Sequence, residues 1–151
     1  LALLSDPNKD EQTVLSGLSY QENDVILHHD DSLMPERKLA WASWNFLAGE
    51  QSANQPPIVT YCMNILQSLK SEIPVLVSLN ARHKIDPEKI LREFTYSHPV
   101  YSYQAINSQS RRSEICGSDR IHYCGAYWYS GFHEDGVKSA LDVASRFGKE
   151  L

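Results

Sequence analysis

The chain contains 151 residues, of which 42% are apolar and 22% charged, a balance that excludes a wholly disordered chain. This length suits one domain, or one domain plus part of another. The formal charge is −5 and no basic block occurs, which argues against a nucleic-acid-binding protein. No apolar run approaches the ~18 residues of a membrane-spanning helix. The three cysteines have no short pair spacing, so neither a disulfide framework nor a metal site is expected, and a reducing cytoplasm fits best.

The first residues are not typical of a signal peptide, because no initiator methionine, basic region or cleavage site precedes the first helix. We therefore expect a fragment of a longer protein. Asp6 and Pro7 are typical of a helix start, and Asn8 with Glu11 offers an alternative capping box. Either start predicts a short helix through about residue 18.

Alternating apolar and polar residues predict several strands in the next part of the chain. The predicted strands cover residues 25–29, 38–46, 58–61, 74–79 and a last segment around 121–123. The strand at 38–46 carries bulky side chains on both faces, which predicts burial on two sides. Residues 47–57 contain Gly49, Ser52, Asn54 and two prolines and are predicted to form a loop.

Helices are predicted between these strands. One follows Tyr61 and uses Met63, Leu66 and Leu69. A second starts at Asp86-Pro87 and buries Ile90, Leu91 and Phe94, and a polar helix covers residues 103–114. Between them, His98-Pro99 forces an extended residue. This order predicts an α+β fold with a mixed, largely antiparallel sheet flanked by helices, rather than a doubly wound sheet.

Residues 120–147 are the most informative part of the sequence. A predicted strand ends at Gly125, an aromatic loop containing glycine follows, and a helix begins near Asp135-Gly136 and stops at Gly148. Gly125 has no side chain, so a ligand could approach the backbone there. The free N–H groups and the dipole of a helix start attract partial negative charge.

Short motifs in this segment resemble the C-terminal FAD segment of flavin-containing amine oxidases. They are Cys124-Gly125-Ala126, Ser130-Gly131-Phe132, and Asp135-Gly136 with Ser139-Ala140. Further motifs look like a bacterial branch of that superfamily, described as predicted NAD/FAD-binding oxidoreductases: Leu27-His28-x-Asp30, Met34-Pro35, Ala40-Trp41-Ala42-Ser43-Trp44-Asn45, Thr60-Tyr61-x-Met63-Asn64, Leu79-Asn80, Tyr96-Ser97-His98-Pro99-Val100 and Gly131-Phe132-His133-Glu134-Asp135-Gly136.

The resemblance implies that residues 1–118 are part of a substrate-binding domain and residues 119–151 a C-terminal FAD-binding segment. Family members hold the ADP half of FAD with an N-terminal Rossmann fingerprint, and no G-x-G-x-x-G occurs here. This chain alone is therefore expected to be inactive and to bind FAD weakly or not at all. The whole protein would transfer a hydride from a C–N or C–H bond of a small-molecule substrate to the flavin.

The resemblance also assigns cofactor contacts. Gly125 and Ala126 would lie near the ribityl–pyrophosphate region, and the backbone of Asp135, Gly136 and Val137 would face the pyrimidine end of the flavin. Phe132, after Gly131, would form an aromatic wall beside the flavin, with Tyr129 or Trp128 as alternatives.

Candidate substrate-binding residues are His28, His98, Tyr127, Trp128, Tyr129 and His133. Each histidine also has a structural interpretation: hydrogen bonding at a strand end for His28, a buried hydrogen bond for His98 and loop packing for His133. Three consecutive aromatic residues exceed what loop packing needs, so at least one of them is expected to face a ligand. For Glu134 and Asp135 we favour helix capping over acid–base catalysis.

Two departures from the family leave the reaction open. Tyr127 stands where family oxidases often have an acidic residue, and residues 23–25 lack the lysine that holds a water near the flavin. Amine oxidation, dehydrogenation, desaturation and isomerisation therefore remain alternatives, and no catalytic residue is assigned. A different class of function is a non-catalytic domain that binds a small ligand or a partner through the aromatic loop.

Overall fold

The structure, a computed structural model, describes residues 3–48 and 56–149. It is an α+β fold in which an antiparallel sheet has the strand order β2-β3-β4-β1-β5. The strands are β1 (Tyr20–His28), β2 (Trp44–Leu47), β3 (Ile58–Cys62), β4 (Leu76–Leu79) and β5 (Ile90–Pro99). The helices are α1 (Lys9–Ser16), α2 (Met63–Leu66), α3 (Tyr103–Ser110), α4 (Arg112–Ile115) and α5 (His133–Ser145). Within the described ranges, none of the helices has the length and apolar character needed to cross a membrane.

The chain forms two compact units. One contains Leu1–Gln21 and His98–Leu151 and is called the helical unit; the other contains Glu22–Ser97 and is called the sheet unit. The predicted boundary between residues 118 and 119 concerns cofactor binding and stays a prediction.

In the sheet unit, β4 is the central strand and pairs antiparallel with β1 and β3. Leu79 lies opposite Val25 on one side and Val59 on the other. Alternate residues of β3 and β4 are buried, as expected of strands with one face on a core. Two clusters form that core: Ile26, Ile58, Ala81 and Ile85, and Met34, Cys62 and Leu76.

The predicted strands at 25–29, 58–61 and 74–79 are confirmed as β1, β3 and β4, although β1 starts earlier, at Tyr20. The predicted strand at 38–46 is wrong. Residues Lys38–Ala40 form a 3₁₀ turn, and only Trp44–Leu47 is extended, as the edge strand β2 with Trp44 and Phe46 exposed. Bulky side chains on both faces of this segment predicted that it would be buried. In the structure β2 is at the edge of the sheet, where a neighbouring strand lies on one side only. Residues 49–55 of the predicted loop lie outside the described residues.

The predicted helix containing Ile90, Leu91 and Phe94 is also wrong, because these residues belong to β5. Asp86 does cap a turn, since its Oδ1 accepts a hydrogen bond from the N–H of Glu88, but that turn is only the 3₁₀ segment Pro87–Lys89. The extended backbone expected at His98-Pro99 is confirmed as the end of β5. The helical spacing of Ile90 and Phe94 was thus overridden by pairing with the neighbouring strand, which supplies hydrogen-bond partners to the backbone of this exposed segment.

In the helical unit, the alternative start of α1 is confirmed. The N–H of Asn8 donates to Glu11 Oε2 and the N–H of Glu11 donates to Asn8 Oδ1, both at 2.9 Å, which is a capping box. The start at Asp6-Pro7 is wrong. The polar helix predicted at 103–114 is confirmed as α3 and α4, which a break at Arg111 separates.

The C-terminal segment differs from the prediction in two respects. Residues 121–123 form no strand, and α5 begins at His133, two residues before Asp135. The predicted stop is confirmed, because Gly148 adopts a left-handed conformation (φ 65°) after the last turn. Val14, Ile115 and Trp128 form the core of this unit.

Candidate functional site

Residues 123–129, here called the clamped loop, are fixed by hydrogen bonds from other elements of the helical unit. The guanidinium of Arg112 donates to the carbonyl of Tyr123 through Nε (3.1 Å) and Nη2 (2.8 Å). The same group donates to the carbonyl of Ser139 (2.9 Å) and to Asp142 Oδ2 (2.8 Å). Arg112 thus joins α4, the start of the clamped loop and α5. Its side chain is only 14% exposed, so the guanidinium lies within the helical unit and not on a solvated helix face.

Gly125 is needed for packing within the clamped loop. Its φ of 151° is rare for other residues, and a Cβ there would lie 2.3 Å from the ring of Tyr127. Its N–H donates to Oγ of the fully buried Ser139 at 2.9 Å. This N–H is therefore already satisfied by the chain.

The three consecutive aromatic residues also have partners inside the helical unit. Trp128 is buried against Val14 and Ile115, although its Nε1 has no hydrogen-bond partner among the described residues. The side-chain amide of Gln109 donates to the carbonyls of Tyr127 and Tyr129, both at 2.8 Å. The ring of Trp128 therefore packs in the core, and the backbone on both sides of it is held.

The tyrosine hydroxyls of this loop are similarly engaged. Tyr129 donates to Asp142 Oδ2 at 2.5 Å, and this bond to a carboxylate raises the pKa of Tyr129. Tyr127 donates to the carbonyl of Cys124 at 3.2 Å, and burial raises the pKa of its hydroxyl. Both phenols stay protonated near neutral pH and act as donors.

Residues 131–137, here called the open helix start, differ from the clamped loop. The N–H of Phe132 donates to Asp135 Oδ2 (3.0 Å), and the carbonyl of Phe132 accepts the N–H groups of Asp135 and Gly136. The capping expected of Asp135 is thus confirmed, from the third helical position. The N–H groups of His133 and Glu134 have no acceptor among the described residues, and Phe132, His133 and Glu134 are exposed.

Gly136 has room for a side chain at this helix start. A Cβ built there would meet only Ala126, at 4.0 Å, an ordinary van der Waals distance. Ala126 is therefore the residue of the clamped loop that lies beside the open helix start. Val137 is exposed on the same turn. The predicted cofactor residues are thus brought together, with Gly125 held on Ser139.

Tyr101 is a neighbour of this site that the sequence analysis missed. Gly131 has a φ of 89°, and a Cβ there would lie 2.2 Å from the hydroxyl of Tyr101. Burial raises the pKa of Tyr101, and the negative charge of Asp135 raises it further. No local pattern could have identified this contact, because the two residues are 30 positions apart and only the tertiary structure joins them.

His28 lies in the sheet unit, away from solvent. Its side chain is fully buried; Nδ1 accepts the N–H of Asp30 (3.1 Å), so the ring proton is on Nε2, which lies 2.8 Å from Ser78 Oγ. Ser78 Oγ in turn lies 2.7 Å from Thr60 Oγ1. This chain of hydrogen bonds crosses β1, β4 and β3. Burial lowers the pKa of His28, which matches the strand-end alternative.

The two other predicted histidines are exposed. His98 lies near the end of β5, and His133 is the first residue of α5. Of the three, His133 is the one that belongs to the open helix start. The described residues contain no group of three or more His, Cys, Asp or Glu side chains that could hold a metal ion.

Comparison with known proteins does not identify a family for this chain. A scan against protein-family models found no match, and neither did a search of the curated proteins. The resemblance to flavin-containing amine oxidases stays a prediction from the motifs of the sequence.

Proposed function

We propose that this chain belongs to an FAD-dependent oxidoreductase of the flavin-containing amine oxidase type. The observation that carries the proposal is the open helix start: two amide N–H groups without acceptors among the described residues, an exposed aromatic ring and a glycine with room for a side chain, all within one turn. Such a turn can receive the acceptor atoms of a flat ring. A bound flavin would supply the hydride acceptor for a C–N or C–H substrate.

Some of the predicted cofactor-binding residues are better placed to contact a flavin than others. The N–H groups of Asp135 and Gly136, which were predicted to face the pyrimidine end, donate to the carbonyl of Phe132. The amides of His133 and Glu134 would therefore hold acceptor atoms there instead, and the exposed ring of Phe132 would lie beside the ring system. Ala126 is next to this turn, whereas the N–H of Gly125 is used by Ser139. The cofactor contacts are therefore expected from Ala126 onward. The resemblance implies that a region outside this chain holds the ADP half.

The test begins with the protein encoded by the complete reading frame. We expect it to purify with a flavin absorbance spectrum that a reductant bleaches, and to release FAD on denaturation. A colourless protein that shows no affinity in an FAD titration would contradict the proposal.

Gly136→Val tests the proposed location of the flavin. A Cβ at this position meets only Ala126, at an ordinary contact distance, so we expect the fold to be retained while the valine fills the space beside the helix start. We expect FAD affinity to fall at least about tenfold, the equivalent of ~1.4 kcal/mol. Ser145→Val is the matched control, because Ser145 is exposed at the far end of the same helix and lies outside the motif that resembles the FAD segment. Equal FAD affinity in both folded variants would place the flavin elsewhere.

The second candidate, a non-catalytic binding domain, is favoured by exposed apolar side chains in the helical unit. Tyr103 is 91% exposed, and Phe132 and Phe147 are also exposed. Exposed aromatic groups are common at interaction surfaces. Purification with a reducible flavin would exclude a binding-only role, whereas a folded protein without flavin affinity would favour it.

A further inference from the structure

The hydroxyl of Tyr101 lies beside the first residue of the open helix start. Tyr101 follows β5 in the chain and comes shortly before α3. Its hydroxyl oxygen is 2.2 Å from the position that a Cβ of Gly131 would take, and Gly131 has a φ of 89°, which other residues rarely adopt. A side chain at position 131 would therefore displace this hydroxyl from the turn.

This hydroxyl has no hydrogen-bond partner among residues 3–48 and 56–149. The two tyrosines of the clamped loop differ in this respect, because Tyr127 donates to the carbonyl of Cys124 and Tyr129 donates to Asp142. Tyr101 is 43% exposed, so its hydroxyl is open to solvent. A ligand that covers the hydroxyl must supply an acceptor, since a covered donor without a partner is unfavourable.

The surroundings of Tyr101 keep its hydroxyl protonated. Burial raises the pKa of Tyr101, and the nearby Asp135 and Tyr20 raise it further. Because a tyrosine without such neighbours already titrates near about 10, Tyr101 is a donor at neutral pH. The N–H groups of His133 and Glu134 are two further donors at the same turn, without acceptors among the described residues. The turn therefore offers three donors to a ligand that carries acceptor atoms.

We propose that the hydroxyl of Tyr101 donates a hydrogen bond to the pyrimidine end of the flavin. This inference rests on the proposed function, because it requires a flavin at the open helix start. Reduction of a flavin adds negative charge at the pyrimidine end, and a hydrogen bond to a charged acceptor is stronger than one to a neutral acceptor. Tyr101 therefore binds the reduced flavin more tightly than the oxidised flavin and raises the reduction potential.

Tyr101→Phe in the full-length protein tests this role, because it retains the ring and removes only the hydroxyl. The unfolding midpoint of the flavin-free protein should not change, since the hydroxyl has no partner among the described residues. We expect the Kd to rise about fivefold for oxidised FAD and about fiftyfold for reduced FAD. This tenfold difference lowers the two-electron midpoint potential by about 30 mV. Flavin titration and dye-linked reduction measure the two quantities.

Tyr103→Phe is the matched control, because it removes the same hydroxyl from a tyrosine of α3 that is 91% exposed. It should retain the wild-type Kd and potential. If the protein contains flavin and Tyr101→Phe matches this control, the inference is wrong and the proposed function stands. A full-length protein without affinity for FAD would overturn both.

Two further outcomes would also count against the role of Tyr101. A loss of FAD affinity with an unchanged potential would mean that the hydroxyl does not contact the pyrimidine end. A Tyr101→Phe variant that circular dichroism shows to be unfolded would mean that the hydroxyl stabilises the fold instead.

Discussion

The clamped loop and the open helix start are adjacent in the chain, and the sequence predicts both as one cofactor-binding surface, yet they use their polar groups differently. In the clamped loop, the Tyr123 carbonyl and the Gly125 N–H bind Arg112 and Ser139. In the open helix start, the N–H groups of His133 and Glu134 have no acceptor among the described residues.

This difference shows that two neighbouring segments rich in glycine and aromatic residues can have different roles. The residues of the clamped loop pack against one another, whereas the open helix start has room for a ligand. Gly125 is required because a ring occupies the space that a side chain would need. At Gly136 a Cβ would meet only Ala126, at an ordinary contact distance. The two glycines look alike in sequence, and only their surroundings separate a structural role from a candidate binding role.

The largest expected effect comes from removing the arginine that holds the clamped loop. Arg112→Met removes the donor that the carbonyls of Tyr123 and Ser139 share and leaves Asp142 with the Tyr129 hydroxyl in place of two donors, so we expect the free energy of unfolding to fall by about 3 kcal/mol. Urea unfolding followed by circular dichroism measures this change. Arg111→Met is the matched control, because Arg111 forms an exposed ion pair with Glu114 and should contribute little. Similar losses for both variants would mean that Arg112 is not the clamp.

A smaller effect separates the two glycines directly. Gly125→Ala must place a Cβ against the ring of Tyr127 at an unfavourable φ, so we expect a loss of about 2 kcal/mol. Gly136→Ala adds a methyl group at ordinary contact distance inside a helix and should stabilise the protein by roughly 0.5–1 kcal/mol. Thermal unfolding of both variants measures the difference. Two equal losses would contradict the contrast between the halves.

The smallest effect concerns pH and compares the buried His28 with the exposed His133. Burial lowers the pKa of His28 in the folded state, whereas an unfolded histidine titrates near about 6.5. Below that pH the unfolded chain binds a proton that the folded chain resists, so stability falls as the pH decreases. Urea midpoints between about pH 8 and pH 5.5 measure this slope.

Two glutamine variants test whether His28 causes the dependence of stability on pH. His28→Gln should lower stability at neutral pH and flatten the slope, because the buried titrating group is gone. His133→Gln should retain the slope of the wild type. A slope that follows His133 instead would place the titrating group at the helix start.

Local interactions were the most predictable part of the fold. The capping box of Asn8 and Glu11, the extended backbone at His98-Pro99 and the stop at Gly148 depend on a few consecutive residues, and all three are confirmed. Strands β3 and β4 have clear apolar runs and were also predicted correctly. Failure occurred at the sheet edges, where the spacing of Ile90, Leu91 and Phe94 fits a helix although the segment is a strand.

The residues of the candidate site could be predicted from the sequence. The sequence did not show that they divide into a clamped loop and an open helix start. Motifs located Gly125, Ala126 and Gly136 within one segment, and the structure brings them close together. Tyr101 and Arg112 were not identified as neighbours, because each contacts residues far along the chain. A side chain that donates across 27 positions, as Arg112 does to Ser139, leaves no periodic signal.

The sequence by itself determined the α+β class, the antiparallel character of the sheet and most of the turns and caps, because these follow from nearest-neighbour sterics and hydrogen bonds. Tertiary structure alone decided which strands became edges, which glycine has room for a side chain and which histidine is buried. Those outcomes depend on how segments distant in the chain compete for the same partners and the same volume, and no local pattern records that competition.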